Sequence, residues 1–360
     1  MIKKIVAQNV KVVIGADVHT KKHVVRAKIG DEITKAVNIS PNKAAWESYL
    51  ERFPGCEIHV IYEAGQNGYN LYDMLMGMNG KNGWKIQVHI APPALVPQAP
   101  GNRRKKTDKR DSLRLIQAYE MNSFRPVVVP DKAQREEREL VRTMGQIKKM
   151  NKTLKNEIHS LLKFHGIDYA PPKTWSEKWI KGTRAAVAEA DTTGDLLFSF
   201  ETKLGLLQDI WRRMEEAHSR IGKLNREGKC GETAAKLEKL TGIGAYSATL
   251  IATEVVDFHA FDNSDAFASY VGVVPGEDSS GERVRRGHIT RAGNRRLRWI
   301  FVECAWNWIK YDPAAKAVYN RIKAGKKERA QLAIVAMARR LAVKAYHQVV
   351  SAPEEEKEAA

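Results

Sequence analysis

Seven residues in the middle of the chain, Leu140, Met144, Ile147, Asn151, Leu154, Ile158 and Leu161, recur at alternating steps of four and three. Seven more, Phe200, Leu204, Leu207, Trp211, Met214, His218 and Ile221, repeat the rhythm. This spacing is the seam of a coiled coil, so two long helices must pack as a hairpin or pair between subunits. Asn151 on the seam would fix register at some cost in stability, and His218 reads as a packed or partly exposed seam residue. The prolines of HGIDYAPPKTW break the pattern, which makes that segment a connector with a short helix of its own. The seams divide the chain into a first domain over 1–125, a coiled-coil helical region over 126–230 and a C-terminal domain over 231–350. The acidic tail SAPEEEKEAA, 351–360, reads as frayed.

Before the seams, VVIGAD (12–17), HVVRAKIG (23–30) and EITKAVNI (32–39) are rich in Val and Ile and separated by short polar breaks, the pattern of an antiparallel meander. A helix-like NKAAWESYLERF follows, then a strand EIHVIYE (57–63), a helix GYNLYDMLMGM, a strand KIQVHIAP (85–92) and a helix starting near Thr107 or Asp108. Three strands followed by alternating strands and helices is the order of an RNase H-like α/β fold, a mixed sheet with helices on its faces. A flavodoxin-like sheet would alternate from the start.

After the seams the pattern is mainly helical. LEKLTGIGAYSATLIATEV has the form of a helix-hairpin-helix-like element with Gly242 and Gly244 in its turn. Such a turn exposes backbone N–H groups at a helix N-terminus, where a phosphate can sit. GxG turns also join helices for purely structural reasons. A further amphipathic helix, ERAQLAIVAMARRLAVKAYHQVV, closes this part.

Lys and Arg number 60 against 42 Asp and Glu, a formal charge of +18, which points to a polyanionic partner, with nucleic acid leading. The charge clusters. Arg103, Arg104, Lys105, Lys106, Lys109 and Arg110 form one group; Arg283, Arg285, Arg286, Arg291, Arg295, Arg296 and Arg298 form another. Arginine's planar fork suits phosphate oxygens, so the second group reads as a phosphate clamp. Cys56, Cys230 and Cys304 are scattered without CxxC or Cys/His pairing, which argues against structural zinc and fits buried thiols in a reducing compartment. No apolar run approaches the length of a membrane span, so the expectation is a soluble, cytoplasmic, nucleoid-associated protein.

Acidic residues close the apolar runs. Asp17 ends VVIGAD and Glu63 ends VIYE; in an RNase H-like sheet those strands are neighbours, so the two carboxylates face each other. KKTDKRDS places Asp108 and Asp111 at i and i+3 on one face near a helix start. Four converging carboxylates need cations, and hard oxygen ligands select Mg²⁺ or Mn²⁺. A pair of such ions can hold the attacking and leaving oxygens of a phosphodiester. Taken singly, an Asp at a strand end is usually a turn residue and an Asp at a helix start a cap; their order beside a basic cluster favours a metal site.

GADVHTKKH, IYEAGQNGY, KKTDKRDS, LTGIGAYSA, FASYVGVVPGEDSSGERVRRGHITRAGNRRLR and the late AMARRLA together resemble the DEDD transposases of insertion sequences. The resemblance covers nearly the whole chain. It implies a RuvC-like N-terminal domain, a coiled-coil region and a C-terminal transposase domain. It maps the acidic tetrad onto Asp17, Glu63, Asp108 and Asp111, and implies that a serine followed by glycine, here Ser280 before Gly281, is required for strand exchange. Such a hydroxyl can attack a phosphodiester and conserve its energy in a phosphoserine link, with Arg283, Arg285 and Arg286 holding the phosphate. Ser279 is the reserve candidate; without the resemblance, both serines read as turn residues.

The resemblance further implies a structured noncoding RNA, encoded by the element, that pairs with donor and target DNA, and a homodimer or homotetramer whose coiled coils bring active sites together. Two other readings compete. A structure-selective nuclease similar to Holliday-junction resolvases would need the carboxylates but not Ser280. A non-catalytic nucleic-acid-binding protein would have no metal-dependent activity.

Overall fold

The computed structural model describes residues 10–65, 67–93, 96, 108–168, 174–280, 283–289 and 292–351, with backbone alone at 108–109, 277–280 and 283–288. Contacts divide the chain into two compact units, 1–129 and 130–360.

The first unit runs β1 (Lys11–Val18), β2 (His23–Ile29), β3 (Glu32–Ile33), β4 (Val37–Ile39), α1 (Lys43–Leu50), β5 (Glu57–Glu63), α2 (Asn70–Met76), β6 (Lys85–Ala91) and α3 (Asp108–Glu120). Its sheet has the order β3-β2-β1-β5-β6, with β4 also pairing β2. β1 is antiparallel to β2 and parallel to β5, and β5 is parallel to β6, so the sheet is mixed, as the strand order predicts. The third expected strand is split. The Thr34 hydroxyl accepts from Ala27 N at 3.0 Å, a side chain standing where a ladder carbonyl would be, and pairing resumes only at Val37.

Both faces of β1 are covered, which its unbroken apolar run requires. Val12, Ile14 and Ala16 join Ile58, Val60, Trp46 and Leu75 in one core. Val13 joins Ile61, Ala91, Leu115 and Ile116 in another, built with α3.

The second unit takes in α4 (Lys132–Phe164), α5 (Glu177–Ala190), α6 (Asp195–Glu227), α7 (Gly231–Glu238), α8 (Ala245–Val255), α9 (Ser264–Val271), β7 (Pro275–Ser280), β8 (Arg283–Ile289), α10 (Arg295–Tyr311), α11 (Pro313–Lys323) and α12 (Ala330–Val350). The two seam helices pair with each other in antiparallel sense: Trp211 Nε1 donates to Asn151 Oδ1 at 2.9 Å and Lys203 pairs with Glu157. The seam asparagine thus finds a partner on the opposite seam, and Ile158, Leu162, Phe200, Leu204 and Leu207 bury the stripe. α4 starts at a reciprocal cap between Asp131 and Gln134. Around α8, α10 and α12 a larger core gathers Ile251, Phe267, Phe301, Met337 and Leu341.

The segment whose serines would otherwise read as turn residues is a two-stranded antiparallel ribbon. Ser279 pairs with Val284 and Ser280 with Arg283. Its charges hide the pairing from any apolar pattern, because the ladder of a two-stranded ribbon is made by backbone groups whatever the side chains. Residues 352–360, most of the acidic tail, lie outside the described residues. None of the described helices is long and apolar enough to cross a membrane.

Candidate active site

Alternation along a strand sets the geometry. Asp17 shares the face of Val13 and Gly15, and Glu63 that of Ile61; this is the face on which α3 lies. β1 and β5 are paired in parallel as far as Ala16 and Tyr62, so Asp17 and Glu63 are the next residues on adjacent strands at the same sheet end.

Gly15 explains how α3 comes so close. A Cβ built there would lie 1.9 Å from the Ser112 carbonyl oxygen, so only glycine admits the helix at this depth. Farther along α3, Tyr119 stacks under Lys11 and Glu120 pairs with Lys28, so the helix runs back along β1 from its carboxyl end. The start of α3, with Asp108 and Asp111, therefore stands at the end of the sheet that carries Asp17 and Glu63.

Asp111 is 9% exposed. Its Oδ1 accepts from Arg114 Nη1 at 2.9 Å, while Oδ2 is buried with no hydrogen-bond partner among the described residues. A buried carboxylate oxygen without a donor is costly, and a hard cation is the natural counter-group. The Asp108 side chain lies outside the described residues. Among the described residues no three His, Cys, Asp or Glu groups lie close enough to hold an ion; Asp17, Glu63 and Asp111 share a face and an end without closing a ligand set.

Two features escape sequence reasoning. His19 Nε2 lies 3.1 Å from Asp17 Oδ2, its only signal being a spacing of two along the chain. Deeper under α3, His59 Nδ1 meets both His89 Nε2 at 3.1 Å and the Tyr119 hydroxyl at 2.8 Å, and His59 Nε2 meets Glu57 Oε1 at 2.9 Å. Burial, with His59 and Lys11 nearby, pushes His89 down to about 4. The unfolded chain binds that proton near 6.5 and the folded chain only near 4. Stability of the first unit is therefore expected to decline as pH falls from 6.5 towards 4, read as a denaturant midpoint at each pH. His89→Gln should lessen that decline.

Gly15→Ala is the corresponding steric test. The helix must lift from the strand, and overpacking of this kind costs about 1–3 kcal/mol; the melting temperature should fall and α3's carboxylates should lose their place.

In the second unit the serine hairpin is clamped at its foot. Gly272 and Gly293, at φ +80 and +87, face each other: a Cβ on Gly272 would lie 2.4 Å from Ala292 O, and one on Gly293 2.7 Å from Tyr270 O. Asn294 N donates to Tyr270 O at 2.7 Å, and Arg298 Nη1 donates to Ala292 O at 2.8 Å. Arg298, grouped by sequence with the phosphate clamp, is thus occupied inside the protein.

Asn294 also caps α10 at Arg296 N and Leu297 N and reaches Glu254 Oε2 at 3.2 Å. Glu254 is almost fully buried; burial alone would raise its pKa, but the two-pronged Arg142, at 2.7 and 2.9 Å, holds it below the usual range. Removing one partner of a buried pair strands the other, so Glu254→Ala should cost the second unit about 3 kcal/mol, seen as an earlier urea midpoint.

Gly242 and Gly244 have separate duties. A Cβ on Gly242 would lie 2.7 Å from Cys304 O and Trp308 N, so this glycine seats the turn against α10; Gly244 has open space around it at the start of α8. Arg110, Arg295 and Arg296 are exposed. Arg103, Arg104, Lys105, Lys106 and Arg291 lie outside the described residues, as do the side chains of Lys109, Ser279, Ser280, Arg283, Arg285 and Arg286. Cys56, Cys230 and Cys304 are buried, and burial pushes the Cys230 thiol up to about 12 and that of Cys304 up to about 11, as expected of inert thiols.

Two family models match in order along the chain. The IS110-type DEDD model, described as Transposase, matches residues 14–167, and the model of the Transposase IS116/IS110/IS902 family matches 234–320. A putative transposase, y4qE, of Sinorhizobium fredii is 27% identical over 256 residues, 71% of this chain and 60% of its own length. The transposase for insertion sequence element IS1111A of Coxiella burnetii is 25% identical over 253 residues, 70% of this chain and 65% of its own. The transposase for IS1328 of Yersinia enterocolitica is 35% identical over 74 residues, 21% of this chain and 22% of its own. The longer matches therefore span somewhat less than two thirds of the relatives.

Proposed function

Because the chain belongs to the IS110-type DEDD transposase family, we propose that it cuts and rejoins DNA to move an insertion sequence, with Asp17, Glu63, Asp108 and Asp111 holding Mg²⁺ or Mn²⁺ and Ser280 as nucleophile. The observation that carries the metal reading is the buried Oδ2 of Asp111, without a donor among the described residues, on the sheet face of Asp17 and Glu63. All the donors are carboxylate oxygens, the chemistry that hard divalent cations prefer. A bound ion would supply Lewis-acid polarisation of the phosphodiester.

In the proposed exchange, the Ser280 hydroxyl gives up its proton and its oxygen bonds to phosphorus. The bond to one DNA oxygen breaks and that oxygen takes up a proton. A hydroxyl of another strand then reverses the step and releases the serine, so no external energy source is needed. Arg283, Arg285 and Arg286 bind the phosphate and offset charge as the new bond forms. The Gly272–Gly293 clamp and the Asn294 cap support this reading, because a nucleophile needs a fixed base. The basic groups 103–110 and 283–296 hold DNA. A structured noncoding RNA choosing the sites, and a homodimer or homotetramer acting in the cytoplasm at the nucleoid, complete the proposal on the strength of the family resemblance and the +18 charge.

The test is cleavage and joining of labelled donor and target DNA by the purified protein, with RNA from its own locus, in Mg²⁺ and in EDTA. Products in Mg²⁺ alone support the reading; products unaffected by EDTA contradict it.

A further inference from the structure

α10 has two apolar faces where a surface helix needs one. Its inner face, Leu297, Ile300, Phe301, Cys304, Ala305 and Trp308, is buried in the core. On its outer face Trp299 is 47% exposed and Trp306 43% exposed, and Tyr311 just beyond is 65% exposed. Arg295, Trp299, Val302, Trp306 and Lys310 fall at steps of four, three, four and four, which keeps them within about 80° of arc on one stripe. The stripe begins and ends in a cation, with Arg296 beside its start, and the Lys310 ammonium lies 5.0 Å from the Tyr311 ring centre.

We propose that this stripe is a stacking platform for an unpaired strand of DNA. The two indoles stand about 10 Å apart along the axis, a span of about three stacked bases at ~3.4 Å each. Aromatic faces framed by cations are what bases and phosphates of a single strand engage; a duplex keeps its base faces covered. A protein partner would favour a stripe depleted in charge at its ends and neighbours, whereas the next elements here add Arg321, Lys323, Lys326 and Lys327. The choice of DNA as the strand rests on the proposed function, in which DNA strands are cut and rejoined; the stacking chemistry does not.

The test is fluorescence anisotropy of the full chain with labelled oligothymidine, a duplex of equal length and oligouridine, at several salt concentrations. Trp299→Ala and Trp306→Ala should each weaken oligothymidine binding roughly tenfold without changing the salt slope, with Trp299→Phe restoring much of the loss. Arg295→Ala should flatten the slope. Circular dichroism melting confirms that each variant is folded. Unchanged oligothymidine affinity in the folded double variant overturns the proposal, and so does equal dependence of duplex binding on the tryptophans. Tighter binding of oligouridine than oligothymidine overturns the assignment to DNA. A double variant that changes the mass by light scattering while binding DNA normally makes the stripe a protein contact instead. Loss of DNA cleavage with tryptophan-dependent binding intact would sink the catalytic reading and leave this one standing.

Discussion

Asp111→Asn is expected to lower strand cleavage by at least ~10²-fold, the scale of losing one group that stabilises charge in a transition state, while the melting temperature shifts by only a few degrees. The amide keeps an acceptor for Arg114 Nη1, now 2.9 Å from Oδ1, and fills the same volume. What it removes is the charge on Oδ2, which is buried without a donor among the described residues. If Asp111 served only as the partner of Arg114, its loss would cost at most about 1 kcal/mol of a partly exposed ion pair and leave cleavage intact. The magnitude therefore separates the two roles. Raising Mg²⁺ should recover part of the activity, since the defect lies in holding a cation rather than in the fold.

Ser280→Ala should abolish strand transfer, by roughly 10⁴-fold or more, the scale seen when a nucleophile is deleted from a site that otherwise still binds. The substitution removes one oxygen from the last paired residue of β7 and disturbs no backbone bond of the hairpin. DNA binding should remain, because the arginines and the clamp at Gly272 and Gly293 are untouched. Ser279→Ala should retain activity. Loss of strand transfer in Ser279→Ala with Ser280→Ala still active would move the chemistry to the reserve candidate, Ser279.

The parts of this protein that sequence makes legible are those encoded locally. Asp17 and Glu63 stand out because each closes an apolar run, and the parallel pairing of β1 and β5 follows from the order of strands. The seam positions announce two long helices. Whether they pair within the chain needs a contact no spacing reveals, and Asn151 with Trp211 supplies it.

What stays hidden is long-range or backbone-borne. Gly15 looks like any strand glycine until Ser112, nearly a hundred residues on, is laid against it. Glu254 reads as one acid among many until Arg142 and Asn294 close on it from two other elements. The Ser280 hairpin carries no apolar alternation, so its strands exist in the hydrogen bonds and not in the pattern.

The most direct test is to mix the protein with its locus RNA, Mg²⁺ and labelled donor and target DNA, denature, and look for DNA covalently attached to the chain. An adduct in the wild type that disappears in both Ser280→Ala and Asp111→Asn is the predicted result, joining serine chemistry to the carboxylate site. Metal-dependent cleavage that persists in Ser280→Ala with no adduct would contradict it and leave a hydrolytic nuclease.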